Sequence, residues 1–166
     1  MSAIYGSIIG ADDYNSARGN DSWALASDED KESALLRASE YIDGAYRGSF
    51  QGYRTDGRDQ DREWPRDEAY VFDKWDWVLL DKTVVPKEIE MATYEAAISE
   101  LARPGFFTPD QTPGKNKKSV TVDSISVEYW SGEQYPVVKS LAFILAPLIA
   151  SDGASRNPLS GKVTIA

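Results

Sequence analysis

The densest run of side chains able to do chemistry is Asp56-Gly-Arg-Asp59-Gln-Asp61-Arg-Glu63, four carboxylates within eight residues. Hard cations take oxygen ligands, so the run raises the question of a calcium or magnesium site. The EF-hand spacing fails. With Asp56 at position one, Arg58 and Gln60 occupy positions three and five, and Arg62 falls where another ligand belongs. The interleaved arginines offset the carboxylate charge, and a solvated, salt-bridged loop is the expected outcome. A glycosidase-type acid pair needs two carboxylates set apart by geometry, and nothing singles out two from 27. The chain has no cysteine and no histidine. That excludes thiol nucleophiles, disulfides, Cys/His zinc sites, the Ser-His-Asp triad and imidazole acid–base chemistry. No enzyme class is predicted, and no catalytic, cofactor or metal residues are assigned.

A second pattern is Arg54, Arg58, Arg62 and Arg66 beside Tyr53 and Trp64. Arginines with exposed aromatics hold single strands through phosphate contacts and base stacking. Five acids, Asp56, Asp59, Asp61, Glu63 and Asp67, outnumber them locally. Lys115, Lys117 and Lys118 form a second small basic patch. The whole chain of 166 residues carries 18 basic and 27 acidic side chains, net −9. The excess sits almost entirely in residues 1–83, with 10 basic against 18 acidic. Binding to phosphates gains from counterion release to Lys and Arg, so this balance disfavours nucleic acid as the main partner.

Third comes Trp64-Pro65-Arg66. A tryptophan followed by proline and arginine can fasten an irregular loop to a core, the indole N–H and the guanidinium each finding a partner. The same residue types mark protein interfaces. The three are therefore candidates for a loop anchor or a subunit contact.

Elements must position these residues. A short helix is expected at 12–18, ended by Gly19. Ser27-Asp-Glu-Asp30 reads as a capping box with Asp in place of Glu, opening a helix over 27–46. Its buried face is Ala34, Leu35, Ala38, Tyr41, Ile42 and Ala45. Residues 47–83 read as a long loop pinned by Phe50, Tyr53, Trp64, Tyr70, Phe72, Trp75 and Trp77, with a short strand near 77–80. Pro86 opens a helix to about residue 102, which Pro104-Gly105 ends. That helix has two apolar sides. One is Met91, Tyr94, Ile98 and Leu101; the other is Ile89, Ala92 and Ala96, a small-residue face that would suit a bundle core or a neighbouring subunit. Val120 and Val122, then Ile125, Val127 and Tyr129, alternate as β structure, with a bulge or tight turn at Asp123-Ser124. A last helix over 136–149 is apolar nearly all round, hence packed on several sides. Its apolar run, about thirteen residues over 137–149 and interrupted by Lys139 and Pro147, is too short to span a bilayer. The fold class expected is mainly α, a small helical bundle with a short β element and an extended C-terminal arm. Residues 1–150 form the domain and 151–166 the arm, whose Leu159, Val163 and Ile165 could fill a partner's pockets or extend its sheet.

The order of motifs resembles a known family. Ala11-Asp-Asp-Tyr14, Arg18-Gly19 and Trp23 are followed by Lys31-Glu-Ser-Ala-Leu-Leu-Arg-Ala-Ser-Glu-Tyr-Ile-Asp43. Then come Gly52-Tyr-Arg-Thr-Asp56, Gln60, Trp64-Pro-Arg66, Val85-Pro86 and Ala92-Thr-Tyr-Glu-Ala96. Over about 5–148 this is similar to the head–tail connector, or adaptor, proteins of tailed phages, many of them labelled DnaT-like single-stranded DNA-binding proteins. Arg62-Glu63 and Trp75-Asp-Trp77 depart from the pattern. The resemblance implies a structural virion protein: a twelve-fold ring of copies beneath the portal protein, assembled in the host cytoplasm. That ring seals the filled head, passes genomic DNA through its channel without sequence-specific contacts, and meets the next neck protein. The resemblance extends to the arm, and so to Leu159, Val163 and Ile165, a role in docking to the portal. The alternative is a single-stranded DNA-binding replication accessory protein.

Overall fold

The computed structural model describes residues 4–107, 119–122, 125–128 and 139–149, the two short β segments as backbone only. The protein is mainly α with a small β component. Its helices are α1 (Ile8–Ser16), α2 (Asp21–Ala24), α3 (Asp28–Tyr46), α4 (Lys87–Ala102) and α5 (Lys139–Leu145). Six short strands, β1 (Tyr53–Arg54), β2 (Arg66–Asp67), β3 (Tyr70–Asp73), β4 (Asp76–Leu79), β5 (Ser119–Val122) and β6 (Ile125–Glu128), pair in order as three antiparallel ribbons.

Helix α3 starts where its capping box requires. Ser27 Oγ accepts the Asp30 amide at 3.2 Å, and Asp28, Glu29 and Asp30 fill the first turn. Its expected face is buried at Ala34, Leu35, Ala38 and Ile42, whereas Tyr41 is half-buried and Ala45 is exposed. Pro86 is the N-cap of α4. Helix α4 is the centre of the bundle: it packs on α3 and α5 and touches α1 and α2. Only its two end residues are exposed. Ile89, Ala92 and Ala96 are fully enclosed by the chain's own core. The small-residue face is thus spent within the bundle, which corrects its reading as a subunit interface.

Three other expectations change. Helix α1 begins four residues earlier than its charge pattern suggests, because Ser7 caps it through the Gly10 amide. Helix α5 is two-faced: Leu141 and Leu145 are buried while Phe143 is 79% exposed, since α4 is its main support. Pro147 converts its end to a 3-10 turn over Ala146–Leu148. The segment 47–83 is two ribbons rather than a loop with one strand, joined to the bundle by a Phe50–Ile149 bridge. In β5–β6, Val122 pairs with Ile125; Asp123-Ser124, where a bulge or tight turn is expected, lies outside the described residues.

Two glycines are required by close approach. Gly52 (φ +66°) brings β1 against β2 so tightly that a Cβ would lie 2.1 Å from the Asp67 carbonyl oxygen. Gly6 (φ +75°) lies under the Tyr94 hydroxyl, again at 2.1 Å from a hypothetical Cβ. No helix among the described residues is long and apolar enough to cross a membrane. The arm 151–166, with Leu159, Val163 and Ile165, lies outside the described residues, as does the lysine patch at 115–118.

Candidate functional site

The chemistry-bearing residues of 51–67 are turned inward on one another. Arg66 is buried. Its Nε donates to the Gln51 carbonyl and its Nη2 to the Gly52 carbonyl, both at 2.7 Å, and its Nη1 donates to Glu63 Oε2 at 2.8 Å. Gln60, also buried, accepts the Asp56 amide and donates to the carbonyls of Arg62 and Pro65. Arg54 donates to the Gln60 carbonyl at 3.1 Å. Trp64 is 2% exposed, packed edge to face on Phe50, and its amide donates to the Tyr5 hydroxyl. The anchor reading of Trp64-Pro65-Arg66 therefore holds for the chain itself, with the Trp64–Pro65 bond cis. One detail differs from expectation. The Trp64 indole N–H has no hydrogen-bond partner among the described residues.

The arginine register does not make a phosphate-binding stripe. Arg66 and Arg54 serve loop carbonyls, and Arg62 Nη1 lies 3.3 Å from Asp43 Oδ2; of the four, Arg58 is the exposed one. The acids diverge in the same way. Glu63 faces Arg66 and Arg47, and residues 57–59 wind into a 3-10 turn. Among the described residues no three carboxylates lie together as a metal site would need.

A buried polar knot escapes sequence reasoning. The Tyr5 hydroxyl donates a very short hydrogen bond to Asp43 Oδ1, which also accepts the Glu63 amide at 3.4 Å. Burial pushes the Asp43 carboxyl above its ordinary value near 3.8, against the opposing effects of Tyr5 and Arg62. Burial and the nearby Asp43 charge also raise the Tyr5 hydroxyl. Because Asp43 holds its proton more tightly folded than unfolded, its contribution to stability falls as pH rises from about 4 through its folded value. Asp43→Asn should therefore gain on the wild type in denaturant titrations run at successive pH values above 4. A variant that instead loses ground as pH rises would mean the Arg62 ion pair outweighs desolvation. No local pattern marks Tyr5, Asp43 or Trp64 as partners, since the contacts span 38 and 59 residues.

What remains outside is aromatic. Five apolar side chains of the β3–β4 hairpin are exposed: Phe72 59%, Trp75 92%, Trp77 44%, Val78 46% and Leu79 53%. Phe72 pairs across the ribbon with Trp77, and Tyr70 with Leu79, so one face is wholly apolar. On the other, Val71 packs on the core beside Val78. Antiparallel ribbons normally turn a polar face to water. The expectation that the aromatics of 47–83 pin the segment is thus right for Phe50 and Trp64, and wrong for Tyr53, Phe72, Trp75 and Trp77, which remain substantially exposed. The pair of short apolar runs at 70–72 and 77–79 was a legible signal. It was masked by a turn made of Lys74 and Trp75 without glycine or asparagine, Lys74 taking φ +57°.

The family model described as "Putative DnaT-like ssDNA binding protein" matches residues 4–164. The chain belongs to this family. The match runs through the anchored loop, the hairpin and both long helices of the family member described here. No curated protein and no solved structure matches the chain.

Proposed function

We propose that this family member is a structural assembly protein of a phage neck, an adaptor that joins copies of itself to the portal protein and leaves a channel for DNA. The observation that carries the reading is the exposed apolar hairpin on an acidic chain. From Phe72, Trp75 and Trp77 alone, roughly 300–500 Å² of apolar surface faces water, as large as the biggest patches a monomer normally leaves open. Residues 67–82 hold five acids (Asp67, Glu68, Asp73, Asp76, Asp81) and two lysines (Lys74, Lys82). Such a patch fits a protein surface better than a polyphosphate strand. An acidic subunit also suits a DNA channel, because like charge keeps the genome from adhering as it passes. Twelve copies, the next neck protein and docking of 151–166 to the portal belong to this reading through the resemblance, as does the absence of catalysis.

The second reading, single-stranded DNA binding, has the family's description in its favour, and the exposed tryptophans could stack on bases. One experiment separates the two. The purified chain is mixed with the portal ring and examined by native mass and rotationally averaged imaging, and in parallel titrated with fluorescent oligonucleotides at rising salt. A ring of copies on the portal with no salt-sensitive oligonucleotide binding is expected. No portal association together with tight binding that weakens steeply with salt would overturn the adaptor reading.

A further inference from the structure

The β3–β4 ribbon ends on an open edge. It is a two-stranded sheet, and all four residues of β4 are exposed. Its register shows which backbone groups are already used. The Leu80 amide donates to the Ala69 carbonyl, so Val78 and Asp76 also bond inward to β3, while Trp77 and Leu79 turn their N–H and C=O outward. Among the described residues, the one outward group with a partner is the Trp77 amide, which donates to Asp76 Oδ1 at 2.8 Å. A two-stranded ribbon is marginal by itself, and an open apolar edge is a template for one more strand.

We infer that in the free subunit this edge is taken by the chain's own arm, with Val163-Thr164-Ile165 added to β4 as a third, parallel strand. Position selects this occupant first. The described chain ends at Ile149, which bridges Phe50 and follows the 3-10 turn that touches β3. The seventeen residues 150–166 reach up to roughly 55 Å when extended. The ribbon is roughly 13 Å long, with strands about 5 Å apart. Pattern selects it next. Val163 and Ile165 alternate with Lys162 and Thr164, so set beside Trp77 and Leu79 they continue the ribbon's apolar face. Charge fixes the direction. Asp73 and Asp76 lie opposite each other across the ribbon, and neither is ion-paired among the described residues. The parallel register sets Lys162 beside Asp76, and its carbonyl takes over the Trp77 amide, releasing the Asp76 carboxylate to the ammonium. An antiparallel strand with both apolar residues on β4 would carry Lys162 to Leu80 instead. The contact stands on the hairpin and the arm alone; its consequence rests on the adaptor reading. An arm that leaves β4 for the portal uncovers the apolar edge, and a neighbouring copy meets it only on that template.

The chain has no cysteine, so an engineered disulfide reports the contact directly. Val78→Cys with Thr164→Cys, neighbours across the two strands in this register, should close within one chain at low protein concentration under mild oxidation. Closure should be roughly tenfold faster than for Leu25→Cys with Thr164→Cys, which tethers the arm to an exposed site at the end of α2. Lys162→Glu should slow closure of the first pair, and adding Asp76→Lys should restore it. Equal rates in the two pairs, disulfides between chains, or no effect of Lys162→Glu would overturn the contact. On the portal ring the reduced pair should stop closing, and a chain locked beforehand should form no ring until it is reduced. A locked chain that assembles would overturn the release of the arm and leave the contact in place. Closure in the free chain with no portal association at all would remove the adaptor reading, the contact again standing.

Discussion

Replacing Arg66 by alanine is expected to cost roughly 3–5 kcal/mol, the penalty for taking one partner out of a buried ion pair. With a chain of this size that is a fall in Tm of roughly 6–20 °C. The reason is the direction of its three bonds. One guanidinium ties the carbonyls of Gln51 and Gly52, just before β1, to Glu63, and so closes the ends of a fifteen-residue excursion. Without it two carbonyls and a nearly buried carboxylate lose their donor together, and the side chain's packing beside Phe50 and Trp64 is lost as well. Arg66→Lys keeps the charge but offers a point donor in place of a planar fork, and should recover less than half of the loss. Thermal unfolding with limited proteolysis between residues 54 and 62 reads both effects. A near-neutral Arg66→Ala would show that Trp64 and Gln60 hold the loop without it.

Glu100→Ala should be nearly as severe, about 3–5 kcal/mol, for a different reason. Glu100 is 2% exposed and lies in the last turn of α4. Oε2 accepts Arg37 Nε at 3.0 Å and the Gly105 amide at 2.8 Å, while Oε1 accepts the Phe107 amide at 3.1 Å. Arg37, one third exposed, can return to water. The Phe107 amide is buried and cannot, so most of the cost is an unsatisfied backbone donor plus the void left behind. Glu100→Gln keeps a single carbonyl acceptor and should lose about half as much. Equal losses in the two variants, measured by denaturant unfolding, would assign the effect to charge rather than to the amides.

The pattern of what the sequence disclosed follows the range of the interactions. Ser27 and Asp30 are three residues apart, so the start of α3 was legible from the chain alone. So was α4, through Pro86 and its two apolar stripes. Arg66 was legible as a binder of carbonyls and a carboxylate because tryptophan, proline and arginine lie in one tripeptide. Helix α2 was not, for four residues are too few to show a period; yet it buries Trp23, whose indole donates to Asp12. Glu100 looked like one more helix-end acid, since nothing local says that the chain returns over it at Gly105 and Phe107. The fate of the aromatics of 47–83 was undetermined for a related reason. Burial depends on where the bundle ends, which is a property of the fold and not of the segment.

The N-terminal strap has a consequence for the order of events during synthesis. Residues 5–7 leave the ribosome before every one of their partners, yet they are held by Ser39, Asp43 and Trp64 around Tyr5, and by Tyr94 at the Ser7 amide. The last of these partners follows 87 residues later in the chain. Closure of so long a loop is slow relative to winding α1 and α3, which need only neighbours. Translation thus extends most of the bundle before residues 5–7 can dock. A nascent chain halted before Tyr94 would expose its strap to protease, and one released beyond α4 would protect it.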